Sequence, residues 1–190
     1  EETIELRRVD DGLLLDTLLG HDNRIIDLAF SPDGDTLASA SWDDTVRLWR
    51  VADGEALRGW EDQADGAWAV AFSPDGQLLA TGAGDDAIRL WRTADGALQR
   101  TLTGHSNTVF ALAFAPDGAT LASASADDTL RLWPLAPAQT PLVLSQHDRD
   151  VEDVHFSPDG QTLASASADR TVRLWATADG SLQRTLRDVN

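Results

Sequence analysis

Cysteine, methionine and lysine are absent from the 190 residues, and all 15 basic residues are arginine. Without cysteine there is no disulfide and no thiolate metal site, and the redox compartment cannot be read. Without methionine, position 1 included, Glu1 is not an initiator residue, so the chain is expected to be a piece of a longer product. No apolar run approaches the roughly 18 residues of a membrane-spanning helix, so no membrane partner is expected. No charged-then-apolar leader opens the chain, and a cytoplasmic setting is expected. Positive charge is scarce: 15 arginines face 32 acidic residues, for a net charge of −17. That balance repels phosphate backbones and argues against nucleic acid as a partner. It favours solubility and basic partners.

What is present is repetition. SASWDDTVRLW (39–49) returns as TGAGDDAIRLW (81–91), SASADDTLRLW (123–133) and SASADRTVRLW (165–175), a constant step of 42 residues. FSPDG from Phe30 returns at Phe72 and Phe156, and as FAPDG at Phe114. A fixed period of this length signals a repeat architecture. Much of the acidic charge then has a structural reading, because Asp recurs as a turn former in every unit; a salt-adapted source is the other reading.

Within a unit the apolar pieces are short, rich in Val, Ile, Leu and Ala, and punctuated by Pro-Asp-Gly, Asp-Asp and Ala-Asp-Gly. Pro presets one dihedral, Asp caps its own backbone and Gly accepts positive φ, so these are turns. Four antiparallel strands per unit follow, called a to d. TVRLW carries large apolar groups on both faces, whereas a sheet with one wet face alternates apolar and polar. Each sheet must therefore be covered on both sides, and the small residues of LASAS allow neighbours to approach closely. Radial stacking of such sheets is an all-β β-propeller. The expected fold is a single region, 1–190, with repeats at 19–60, 61–102, 103–144 and 145–190. TIELR and VDDG sit 42 residues before TVRLW and VADG, so 1–18 reads as an outer c–d strand pair of a preceding blade.

Gly-His, FSPDG, LASxSxD and TVRLW together resemble the WD-repeat family of β-propellers across nearly the whole chain. One departure is that Trp is followed by Arg50, Arg92, Pro134 and Ala176 rather than Asp. The resemblance implies a protein- or peptide-binding scaffold that performs no chemistry. The near-identical repeats are similar to bacterial members of the family, which often follow a signalling domain.

One His, one hydroxyl, one Asp and one Trp keep fixed spacing in three units: His21, Ser39, Asp43, Trp49; His105, Ser123, Asp127, Trp133; and His147, Ser165, Asp169, Trp175. Indole only donates, hydroxyl and neutral imidazole do both, and carboxylate only accepts. The capacities chain from Trp to Ser to His to Asp, a satisfied buried network of the kind WD-repeat proteins use. The second unit has Gln63 in place of His and keeps Thr81, Asp85 and Trp91. Thr81 beside Ala83 selects Ser39 over Ser41 as the relay hydroxyl, and the second blade is expected to be the least rigid. A catalytic Ser-His-Asp reading fails, because a nucleophile needs an exposed hydroxyl and an oxyanion hole, and a single site would not be copied in every blade. His155 reads as a packed or edge residue and Trp60 as packed in strand d. No metal or cofactor is expected.

Three columns vary between otherwise constant neighbours: Arg24, Gly66, Thr108, Asp150; Ile26, Trp68, Phe110, Glu152; and Trp42, Gly84, Ala126, Ala168. The fold does not need Trp at 42 or 68, and the resemblance places such positions on the top face around the channel. The candidate binding patch is Arg24, Ile26, Trp42, Trp68, Phe110 and Glu152; the competing reading is that the aromatics fill the channel mouth. Four blades and a strand pair leave a ring incomplete. Further blades in cis, a second copy or another chain would complete it, and the first is favoured. Two other functional readings stand beside the scaffold: a structural or engineered fragment, and an enzyme using Asp150, Glu152, Asp27, Asp153 and His155.

Overall fold

The computed structural model describes residues 2–61 and 63–187, and these form strands and turns without a helix. A two-stranded sheet comes first, β1 (Thr3–Arg7) with β2 (Leu14–Leu19). Four sheets of four strands follow. Blade 1 is β3 (Ile25–Phe30), β4 (Thr36–Ser41), β5 (Val46–Arg50) and β6 (Ala56–Trp60). Blade 2 is β7 (Ala67–Phe72), β8 (Leu78–Ala83), β9 (Ile88–Arg92) and β10 (Leu98–Leu102). Blade 3 is β11 (Val109–Phe114), β12 (Thr120–Ser125), β13 (Leu130–Pro134) and β14 (Leu142–Leu144). Blade 4 is β15 (Val151–Phe156), β16 (Thr162–Ser167), β17 (Thr171–Ala176) and β18 (Leu182–Arg187). Each sheet is an antiparallel meander in chain order.

The turns explain the meander. In SPDG, Gly34 takes φ +77° and its N–H donates to the Ser31 carbonyl at 2.9 Å. Asp33 Oδ1 accepts from the Ser31 hydroxyl at 2.6 Å and from the Asp35 N–H at 3.0 Å. The carboxylate thereby satisfies turn groups that no strand reaches.

Each sheet has two apolar faces with different partners. In blade 1, Ala38, Ala40, Val46, Leu48 and Trp60 pack against Val70, Leu79 and Trp91 of blade 2. Ile88 and Leu90 of blade 2 receive Trp133 of blade 3, and Leu130 and Leu132 of blade 3 receive Trp175 of blade 4. The alanines leave the room that the indole fills. Burying one indole removes about 200 Å² from water, an upper bound of about 5 kcal/mol per blade junction before entropy. The stack is held by these junctions and the blades do not close into a ring.

Both ends of the stack leave apolar side chains exposed, one on a strand pair and the other on a full blade. Ile4, Leu6 and Leu18 of the β1–β2 pair cover Leu37 and Trp49 of blade 1. Its other side is mixed: Arg7, which stands 42 residues before Trp49, pairs in the open with Glu5 at 2.8 Å, beside exposed Leu15 and Leu19. At the far end blade 4 presents an apolar face. Val172 is 39% exposed and Leu186 44%, whereas Val46, Ile88 and Leu130 in the matching column are 0% exposed.

Candidate protein-binding surface

Every strand a carries the same irregularity. Pairing with strand b slips between Ile25 and Asp27, Ala67 and Ala69, Val109 and Ala111, and Val151 and Asp153. The extra residues are Ile26, Trp68, Phe110 and Glu152. A bulge residue lies outside the ladder and its side chain is re-aimed, so its identity is free of the framework. Beyond each bulge one bond restores the pair: Trp42 N–H to Arg24 C=O, Gly84 to Gly66, Ala126 to Thr108 and Ala168 to Asp150, each at 3.0 Å. The three variable columns of the sequence are thus one place in each blade: the bulge and the two residues that close it.

The bulge residues of blades 2 and 3 and the pair that closes the bulge of blade 1 build a continuous row. The Arg24 guanidinium lies 5.3 Å from the Trp42 ring centre. Trp42 meets Trp68 at 5.2 Å and 59°, and Trp68 meets Phe110 at 5.3 Å and 62°. These are tilted and edge-on contacts that the ring quadrupoles favour. Trp68 is further fixed by its Nε1–H donating to the Asp65 carbonyl at 3.2 Å. Trp42 remains 38% exposed. Of the six candidate residues, Arg24, Trp42, Trp68 and Phe110 come together. Ile26 instead lines the groove between β3 and β1, and Glu152 is exposed on β15, the strand beside that of Phe110.

Two glycines in the variable columns have structural reasons that the sequence concealed. A Cβ on Gly66, which has φ +88°, would stand 3.3 Å from both the Trp42 and Trp68 rings. A Cβ on Gly84 would collide with the Asp65 carbonyl at 2.1 Å. The Trp42–Trp68 contact therefore depends on a blade 2 loop that only glycine permits.

Blades 1, 3 and 4 each hold a buried polar relay. In blade 1 Trp49 Nε1–H donates to Ser39 Oγ at 2.9 Å, Ser39 Oγ stands 2.7 Å from His21 Nε2, and His21 Nδ1 stands 2.8 Å from Asp43 Oδ2. Blades 3 and 4 repeat these contacts within 0.1 Å through Trp133, Ser123, His105, Asp127 and through Trp175, Ser165, His147, Asp169. Burial lowers the His21 and His147 pKa, against the pull of their aspartates. Burial would raise Asp43, but hydrogen bonds from Thr45, the Asp22 N–H and His21 outweigh it and hold the carboxyl at about 2. A neutral imidazole beside a carboxylate is the state the relay needs. Ser39, Ser123 and Ser165 are buried and each hydroxyl is already engaged twice, so none is presented as a nucleophile. Ser41 takes a different role, donating to the Asn23 carbonyl at 3.2 Å.

The relay has a fifth member: Thr45, Thr129 and Thr171 hydroxyls donate to the relay carboxylate at 2.6 Å. Its signal was in the sequence, since Ala87 replaces this threonine only in the unit that also lost its histidine. In blade 2 Trp91 Nε1–H still donates to Thr81 at 3.0 Å, and Arg89 clamps Asp85 at 2.5 and 3.1 Å instead.

The WD domain, G-beta repeat family matches at residues 12–50, 54–92, 96–134 and 139–176. The chain belongs to this family. Each matched segment starts before strand d of one sheet and ends with strand c of the next. The WD repeat and the blade are therefore offset by one strand, which laces neighbouring blades together. An uncharacterized WD repeat-containing protein of Synechocystis sp. is 44% identical over 48 residues, which is 25% of this chain and 14% of that relative. WD-repeat domains are in general non-enzymatic scaffolds for protein interaction.

The remaining sequence candidates are placed as follows. Trp60 is packed in strand d of its blade, 5.4 Å from Trp91, with its Nε1–H on the Gly96 carbonyl at 3.0 Å. His155 is exposed and stands 3.3 Å from Asp153. Asp27 is a stitch between blades: one oxygen accepts from Leu28 N–H at 2.8 Å and the other from Val70 N–H at 2.9 Å. Burial raises its pKa, and these two amides oppose the rise. Among the described residues no three His, Asp or Glu side chains converge as a metal site would need.

Proposed function

We propose that this chain is a protein- or peptide-binding module whose docking surface is the Arg24–Trp42–Trp68–Phe110 row. The single observation that carries the reading is that two successive bulge residues, Trp68 and Phe110, and Trp42, which closes the bulge of the blade before them, hold rings that touch one another across three blades at positions whose residue type varies from blade to blade. Large aromatics dominate interface energies, about 2 kcal/mol or more each when a partner buries them. A partly exposed row whose rings brace one another, with Trp68 and Phe110 on strands, presents such anchors at a reduced ordering cost.

Internal comparison supplies clean test variants. Trp42→Ala is what blades 3 and 4 carry, and Trp68→Ile is what blade 1 carries. Both are expected to keep the fold, read by an unchanged midpoint of denaturation. Proteins retained from a cell extract by the wild-type chain are expected to be lost, or weakened about thirtyfold or more, with either variant. Retention at full strength by both variants contradicts the reading.

A further inference from the structure

We infer that the aromatic row receives the guanidinium and ammonium groups of a basic, arginine-rich peptide segment. The inference rests on the row being the docking surface and names the chemistry of what docks there. Three observations converge on it.

The first is that the row already holds one guanidinium. Arg24 lies over the Trp42 ring at 5.3 Å, and it is exposed, with no ion pair to any carboxylate among the described residues. The chain's own arginine thus occupies the first ring as a ligand cation would, while Trp68 and Phe110 carry none.

The second is the set of carboxylates along the row. Exposed Asp44 accepts the Gly66 N–H at 2.7 Å, and a Cβ on that glycine would meet both indoles. Asp65, also exposed, holds Trp68 through its carbonyl. At the far end Glu152 is the next bulge residue and Asp150 helps to close that bulge. Acid therefore stands at the middle and far end of the row, and Arg24 stands at the near end. A segment with successive cations would meet π faces with acidic neighbours, an arrangement that strengthens cation–π attraction by supplying charge at the same place.

The third is the whole-chain charge of −17, which steers a cationic segment toward the surface and an anionic one away. Arginine is favoured over lysine because its planar, weakly hydrated group stacks on rings while still donating to carboxylates.

The test uses the chain as it stands, with fluorescent short peptides read by anisotropy: arginine-rich, lysine-rich and glutamate-rich versions of equal length. In about 0.15 M salt the arginine peptide is expected to bind best, the lysine peptide less well and the glutamate peptide not at all. Trp68→Ile is expected to weaken the arginine peptide about tenfold, and Arg24→Ala to strengthen it about threefold by freeing the Trp42 face. Equal binding of the glutamate peptide overturns the inference. So does an arginine peptide whose binding ignores Trp68→Ile, since net charge alone would then be responsible. If no basic peptide binds, yet proteins captured from an extract still depend on Trp42 and Trp68, the chemistry inferred here fails while the docking surface stands.

Discussion

Gln63 is fully buried, at 0% exposure, and neither atom of its amide has a hydrogen-bond partner among the described residues. A buried polar group left unmade costs about 1–3 kcal/mol. Its counterparts His21, His105 and His147 each bridge a hydroxyl and a carboxylate. Restoring the relay with Gln63→His is expected to raise stability by about 1 kcal/mol, seen as a higher urea midpoint at constant slope. An unchanged or lower midpoint would mean that the glutamine is already satisfied, for instance by a buried water. At this scale the sequence was informative where chemistry repeats: fixed spacing and donor–acceptor logic exposed Trp49, Ser39, His21 and Asp43. It was silent where one residue acts only through another. Nothing in Asp27 itself announced that its carboxylate would cap the Val70 amide of the next blade, and Gly66 and Gly84 read as freedom when they are steric requirements.

Among the elements, the tight turns between strands b and c place a side-chain-bearing residue at positive φ: Asp44 at 66°, Asp86 at 66°, Asp128 at 65° and Arg170 at 67°. Left-handed backbone costs an ordinary L residue roughly 1–2 kcal/mol, and Asp or Asn eases that through local hydrogen bonds. Arg170 has no such means. Arg170→Asn is therefore expected to stabilise the chain by about 0.5–1 kcal/mol, measurable by thermal and urea unfolding; a loss of stability would show that Arg170 makes a contact worth more than its backbone strain. Strands and Pro-Asp-Gly turns were legible because their composition is distinctive and their period strict. The bulges at Ile26, Trp68, Phe110 and Glu152 were not, since an extra residue in a strand leaves no compositional mark. Their trace was indirect: a column that tolerates Ile, Trp, Phe and Glu is one the ladder does not constrain.

For the molecule as a whole, stability is a matter of neighbours. Two-faced apolar sheets demand stacking, and that much follows from TVRLW alone. Which blade is weakest does not follow, because it depends on what covers each face. Lack of a histidine points to blade 2, but that blade is sandwiched on both sides and its Asp85 is clamped by Arg89. Blade 4 keeps an intact relay and leaves Val172 and Leu186 open. Burial of whole side chains outweighs one relay bond, since a buried Leu or Val contributes about 1.5–3 kcal/mol. Among the four-stranded blades the weakest is thus expected to be blade 4, which has one open face, with any loosening in blade 2 confined to the loop before Ala67. Residue-resolved amide hydrogen exchange on the free chain tests this most directly. Stacking as the source of stability predicts that β8 and β12, covered on both sides, exchange slowest, and that β16 and β17 exchange at least about tenfold faster. Protection of β16 and β17 equal to that of β12, or fastest exchange in β8, would contradict it.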